Sequence, residues 1–165
     1  GGISLVNEFT YLFVTRTFSK IFGLGGLRVG WAYGAVDIID VLNSVRSPFN
    51  ISSLGLKMAE LSIEDINFVR EQRELNRVNR EFLRNRLLDL GVRIDRSFAN
   101  FLLLRFSTYD LAELASQFLY KNGVIVRNVG NYGLENYLRV TIGTSGNCER
   151  VLANLTKFQE INNAL

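Results

Sequence analysis

The sequence predicts an α/β chain that ends in an α+β unit. Three observations carry that reading. Short aromatic or β-branched runs alternate with helical stretches along the chain. One stretch, from Ser62 to Leu90, holds no Pro or Gly and reads as a single long helix. After Gly91 the order is two strands, a helix, two strands and a helix, which places helices on one face of a sheet.

Taken in order, residues 1–8 are weakly patterned. Phe9 to Val14 is aromatic and β-branched without Pro or Gly, and reads as a strand. Val29 to Tyr33 reads as a second one, weakened by Gly30. Lys20 then falls at the end of a buried strand, where the chain turns back. Asp37 can start a helix to about Val45, with Ile38, Ile39, Val41 and Leu42 on its apolar side and Ser47-Pro48 closing it. Asn50 to Leu61 reads as another short helix despite Gly55, with Asn50 placed to cap it.

Ser62 reads as the N-cap of the long helix, with Asp65 in a capping-box variant. Phe68, Leu75, Val78, Phe82, Leu83, Leu87 and Leu90 fall near helical spacing, and Gly91 stands where a terminating glycine belongs. The other face is crowded with Arg70, Glu71, Arg73, Glu74, Arg77, Arg80, Glu81, Arg84 and Arg86. Its mixed signs favour a solvated face with i,i+4 ion pairs over a nucleic-acid stripe. Val92–Ile94 and Asn100–Phe106 read as strands, and Asp110 caps a helix to about Asn122, which Gly123 ends. Val124–Arg127 and Tyr137–Ile142 read as strands, and Asn147–Leu165 as a closing helix.

Composition narrows the function classes. The chain has 165 residues, 47% of them hydrophobic, which suits a globular core. Its 19 basic and 16 acidic residues are well mixed, and a net charge of +3 is too mild to argue for nucleic acid. The single cysteine, Cys148, excludes an internal disulfide framework and suits a reducing cytoplasm. With no histidine, no transition-metal site is expected. No apolar run approaches membrane-spanning length and the start is no signal peptide, so no membrane partner is expected.

The densest chemistry lies in Thr15–Tyr33. Lys20 is preceded by the hydroxyls of Thr17 and Ser19, followed by Gly23, Gly25 and Gly26, and then by Arg28. One reading of Lys20 is an ordinary solvated loop lysine. The other has it partly desolvated by Phe18, Ile21, Phe22 and Leu24, which favours a neutral amine, a nucleophile towards aldehydes. The glycines permit positive φ and close backbone approach. Backbone N–H groups, two hydroxyls and a guanidinium suit a phosphate dianion. A Walker loop would place the lysine after the glycines, and a dinucleotide fingerprint would need glycine at Arg28.

Thr17-Phe18-Ser19-Lys20-x-x-Gly23-x-x-Gly26-Leu27-Arg28-Val29-Gly30 resembles the pyridoxal-phosphate lysine motif of the fold-type I aminotransferases, nearest to the histidinol-phosphate aminotransferase branch. The resemblance continues through Val45-Arg46-Ser47-Pro48-Phe49-Asn50, Asn100-Phe101-Leu102-Leu103, Gly123-Val124-Ile125-Val126-Arg127 and Tyr137-Leu138-Arg139-Val140-Thr141-Ile142-Gly143. It implies the C-terminal part of a pyridoxal-phosphate-dependent transferase fold. Residues 1–50 would close the large cofactor domain, 51–80 would be connecting helices, and 81–165 the small C-terminal domain.

The resemblance also implies roles. Lys20 would hold pyridoxal 5'-phosphate as a Schiff base and shuttle a proton, while Thr17, Ser19 and Arg28 anchor the phosphate. Arg139 would grip the substrate's anionic group, with Arg127 a weaker candidate for the same anion and Asn50 near the active site. The planar, permanently charged guanidinium suits such a grip. The implied reaction moves an amino group between an amino acid or amino-alcohol phosphate and a 2-oxo acid, in a cytoplasmic homodimer. Two other readings stand beside it: a related decarboxylase of amino-acid phosphates, and a non-catalytic dimerisation module.

Family members are about twice this length, and the difference would lie before Gly1. The chain therefore reads as a fragment, expected to retain cofactor poorly and turn over little alone. A Phe-rich edge left bare should associate with another copy or chain.

Overall fold

The computed structural model describes residues 2–162. It divides into two compact units, Gly1–Gln72 and Arg73–Leu165.

In the first unit, a short helix α1 (Gly2–Leu5) precedes a two-stranded antiparallel sheet of β1 (Phe13–Thr17) and β2 (Gly30–Gly34). The register runs from Phe13 opposite Gly34 to Thr17 opposite Gly30. The first strand thus begins at Phe13 and not at Phe9. The Leu12 N–H donates to the Phe9 carbonyl at 3.1 Å and closes a turn there. The polar run Thr15-Arg16-Thr17 is strand because β2 supplies its backbone partners, which a reading by side-chain type does not see. Nor is the strand buried: Val14 alone of its residues is, while Phe9, Tyr11, Phe13, Trp31 and Tyr33 are exposed.

Helix α2 spans Val36–Val45, with Asp37 in its first turn. Helix α3 spans Ser53–Glu64, and Ser52 caps it by accepting the Gly55 N–H at 3.0 Å. Asn50 is therefore not the cap; its Oδ1 accepts from Arg46 Nη1 at 3.2 Å. Ser62 lies inside α3 and its hydroxyl donates to the Met58 carbonyl. The break comes at Asp65 (φ −83°, ψ 68°), whose Oδ1 accepts the Phe68 N–H at 3.0 Å and caps helix α4 (Ile66–Asp89). Asp65→Ala is expected to cost about 1 kcal/mol of stability, read as a lower denaturant midpoint at unchanged slope.

Helix α4 passes the division between the units and closes on Gly91 (φ +87°), with the Val92 N–H donating to the Leu87 carbonyl. On its polar face Glu74 and Arg77 pair at i,i+3, not i,i+4, and Arg77 lowers the Glu74 carboxyl from its usual range. Arg80, read as part of that solvated face, is instead buried.

The second unit holds a four-stranded antiparallel sheet in the order β3 (Arg93–Ile94), β4 (Phe101–Arg105), β6 (Leu134–Thr141), β5 (Arg127–Val129). Alternation along β4 and β6 sends Leu102, Leu104, Leu138 and Val140 to one face. There they pack with Leu83 and Leu87 of α4, Ala115 and Leu119 of α5 (Tyr109–Lys121), and Cys148, Leu155 and Phe158 of α6 (Ser145–Asn162). The helices lie on one face, as the order of elements predicts. Phe101, Leu103, Arg105, Tyr137 and Arg139 take the opposite face.

Several boundaries differ from the sequence reading, and strand β6 begins at Leu134, ahead of the expected Tyr137. Thr108, not Asp110, caps α5, its Oγ1 accepting the Leu111 N–H at 3.2 Å. Strand β5 starts at Arg127 because Val124 is drawn back to the end of α5, its N–H donating to the Leu119 carbonyl at 2.8 Å. Helix α6 starts at Ser145, ahead of the expected Asn147, and the expected end at residues 163–165 lies outside the described residues.

Cys148 is 1% exposed, and burial pushes its thiol up, only partly offset by a backbone hydrogen bond at Gly143. A disulfide reagent at neutral pH should therefore modify it slowly in the folded chain and quickly in denaturant, read from released chromophore. Among the described residues, no helix is long and apolar enough to cross a membrane.

Candidate active site

The loop joining β1 to β2 carries three of the predicted site residues, Ser19, Lys20 and Arg28, and a fourth, Thr17, ends β1. The Phe18 N–H donates to the Val29 carbonyl at 3.0 Å, so the ladder continues one step beyond Thr17–Gly30. Phe18 and Val29 are buried with Ala59 of α3, against Phe22, Leu24, Leu27 and Ile51. The Phe18 and Phe22 rings lie 4.8 Å apart. These apolar side chains satisfy one another, and Lys20 between them is left exposed. Lys20 is not buried by its neighbours as expected: Phe18, Phe22 and Leu24 pack into the cluster, and Ile21 is itself exposed.

The turn after Lys20 is tight. The Gly23 N–H donates to the Lys20 carbonyl at 2.9 Å with φ +72° at Gly23, a conformation that favours glycine. Of the three glycines here, Gly23 alone has positive φ; the other left-handed residue in the loop is Arg28, at φ 56°. That turn folds the Arg28 side chain back, and Nη1 donates to the Gly25 carbonyl at 2.8 Å. Gly25 in turn packs beside the Ser19 carbonyl, which a Cβ at Gly25 would meet at 3.4 Å. On the other side of Ser19, its N–H donates to Thr17 Oγ1 at 3.0 Å. Thr17 is thus hydrogen-bonded to Ser19, and Arg28 to Gly25, which packs beside Ser19, in the stretch that carries Lys20. A Cβ at Gly26 would meet nothing within 4 Å, so that part of the loop is open to a ligand. Gly30 is fixed for a different reason: a Cβ there would lie 2.7 Å from the Arg16 carbonyl oxygen.

The second unit brings Arg127 and Arg139 together. They are direct cross-strand partners on β5 and β6, with Leu103 of β4 completing the row. Like charges opposed in this way are unfavourable. No ion pair neutralises either one among the described residues. Arg139 lies over the Phe101 ring, Cζ 5.3 Å from its centroid, and its Nε is buried without a hydrogen-bond partner. Arg127 Nη2 donates to the Tyr132 hydroxyl at 3.2 Å. An unneutralised pair of guanidinium groups, one with an unmet donor, suits a bidentate anion. Asn50 is not joined to either group of residues by a hydrogen bond; it is tied to Arg46.

Sequence reading missed Arg80, Phe101 and Tyr132. A signal for Arg80 was present: positions 80, 83 and 87 share one helix face, and Leu83 and Leu87 are core.

The family model described as aminotransferase class I and II matches residues 2–155. A histidinol-phosphate aminotransferase of Ruegeria pomeroyi is 45% identical over 160 residues, 97% of this chain and 44% of that protein. One from Roseobacter denitrificans is 46% identical over 161 residues, covering 98% of this chain and 45% of that protein. The chain thus spans under half the length of these relatives. Among solved structures, a histidinol-phosphate aminotransferase of Sinorhizobium meliloti in complex with pyridoxal-5'-phosphate matches with a TM-score of 0.88 at 20% identity, over 96% of this chain and 44% of that one. An L-threonine-O-3-phosphate decarboxylase of Porphyromonas gingivalis matches at 0.80 and 23%, over 96% of this chain and 50% of that one. At such identities the likeness is one of fold.

Proposed function

The chain belongs to the class I and II aminotransferases, and from that premise we propose that it is part of a pyridoxal-phosphate-dependent enzyme of the histidinol-phosphate aminotransferase kind. The observation that carries this is the β1–β2 connection, where an exposed lysine follows the hydrogen-bonded Thr17 and Ser19 and precedes the Arg28 guanidinium folded back on the Gly25 carbonyl. That donor set fits the cofactor: Lys20 Nζ would hold its aldehyde carbon, and Thr17, Ser19 and Arg28 its phosphate. Bound there, pyridoxal phosphate supplies an electron sink for a substrate carbanion. Lys20 Nζ, once free, is the base that takes the proton from the substrate's α-carbon. Arg139 and Arg127 bind an anionic group of the substrate, a phosphate or a carboxylate, and fix its orientation. Asn50, held here by Arg46, has its place near the site from the resemblance alone.

Residues 1–50 would then close the cofactor-binding domain, 51–80 connect, and 81–165 form the small domain. The active form is a homodimer in the reducing cytoplasm, where a lone thiol such as Cys148 stays reduced.

Arg28→Ala should weaken pyridoxal phosphate retention roughly 10- to 100-fold, as expected for loss of a charged hydrogen bond, read by spectral titration. The reaction itself is tested by supplying the upstream segment of a full-length relative in trans, then adding histidinol phosphate and a 2-oxo acid. Amino transfer without carbon dioxide release supports the proposal. Release of carbon dioxide from an amino-acid phosphate would replace it with decarboxylation. Absence of cofactor binding in any combination would leave a non-catalytic module.

A further inference from the structure

Arg80 is the one buried charged residue among those described, 7% exposed on a helix whose other arginines lie closer to water. Its Nη1 donates to the Ala99 carbonyl at 3.2 Å, and Asn76 Nδ2 donates to the same oxygen at 3.3 Å. One turn along, Asn79 Nδ2 donates to the Gly143 carbonyl at 2.9 Å. Those two carbonyls flank the paired ends of β4 and β6, which the Ile142 N–H bonds together through the Asn100 carbonyl at 2.8 Å. Helix α4 therefore holds one end of the ladder with polar side chains where an apolar contact would be the ordinary choice. Two residues beyond Ala99 is Phe101, the ring on which the Arg139 guanidinium lies.

We propose that Arg80 is a positioning residue for Arg139: by holding the Ala99 carbonyl it sets the place of Phe101 and so the place of the anion-binding guanidinium. Arg80 Nη2 also reaches Glu81 Oε1 at 3.5 Å, while its Nε is buried without a partner, so the guanidinium is buried at a cost that its pairing offsets only in part. The fixed direction of its donors is what an apolar residue lacks. This rests on the reading of Arg139 as an anion ligand.

The test follows the Arg139 Nε–Hε resonance by nitrogen-15 NMR on the whole chain, identified by its disappearance in Arg139→Gln, with inorganic phosphate as the probe. In Arg80→Leu the resonance should lose the shift imposed by the Phe101 ring, and phosphate should half-saturate it at about tenfold higher concentration. Arg80→Lys, which keeps a charged donor, should restore much of both. Phe101→Leu removes the ring and marks complete loss of the shift, and Asn76→Ala, which removes the other side-chain donor to the Ala99 carbonyl, should move both readouts in the direction of Arg80→Leu, so the test stands if Arg80→Leu fails to fold. A lower melting temperature with the resonance and the half-saturation unchanged would overturn the proposal. A wild-type resonance that phosphate does not move would overturn the anion reading instead, while its shift in the variants still decides the positioning role.

Discussion

Lys20→Ala is expected to abolish borohydride-fixed pyridoxyl label at that position and, in the chain supplied with the upstream segment of a full-length relative, to remove turnover. Loss of the proton-transferring amine alone lowers a rate by about 10²–10⁴-fold. Loss of the covalent hold on the cofactor adds to that. The replacement should not disturb the fold: Lys20 is exposed, and the buried cluster beside it is made by Phe18, Val29 and Ala59. The variant and the parent should therefore melt within a degree or so of each other, since exposed substitutions away from special features stay within about 0.5 kcal/mol. Equal melting with lost label and lost turnover separates chemistry from stability.

Leu102→Ala should have the largest effect on stability. Leu102 is fully buried on β4, opposite Val140 in the sheet register and within the core that the helices cover. Truncation removes buried methyl groups and leaves a cavity that a close-packed sheet relaxes into only partly, at a cost of about 3 to 5 kcal/mol. For a unit of this size each kcal/mol lowers the melting temperature by roughly 4–8 °C. Leu103→Ala is the paired control. It lies on the opposite face, beside Arg139, so it should cost less and should act on anion binding more.

What the sequence made legible follows local rules. The strands around Leu102–Leu104 and Leu138–Val140 were readable because alternation repeats over enough residues to fix a face. Helices α4 and α5 were readable because their apolar spacing runs for several turns and a glycine ends each. That the chain turns back after Lys20 was readable from the glycines that follow it. What was not legible depended on partners. Residues 15–17 are polar and become strand because β2 lies beside them. Ser62 and Asp65 both offer a capping oxygen, and the choice fell to Asp65 because α3 carries on through Ser62. The same competition placed the α3 cap at Ser52 and not Asn50, and the α5 cap at Thr108 and not Asp110. Arg80 was misjudged because its charge was weighed above its place in the apolar stripe. The exposure of Lys20 was hidden because the cluster that draws its neighbours inward includes Ala59, far along the chain.

The central claim is that Lys20 is the lysine that meets the cofactor's aldehyde. The chain has four lysines, Lys20, Lys57, Lys121 and Lys157, so the claim can be read out by competition among them. Pyridoxal phosphate is added, the adduct is reduced with borohydride, and peptide mass spectrometry locates the added mass, with and without the upstream segment of a full-length relative. The account predicts label concentrated on the Lys20 peptide and rising when the upstream segment is present. Label spread evenly over the four lysines in both conditions, or absent from Lys20, would contradict it.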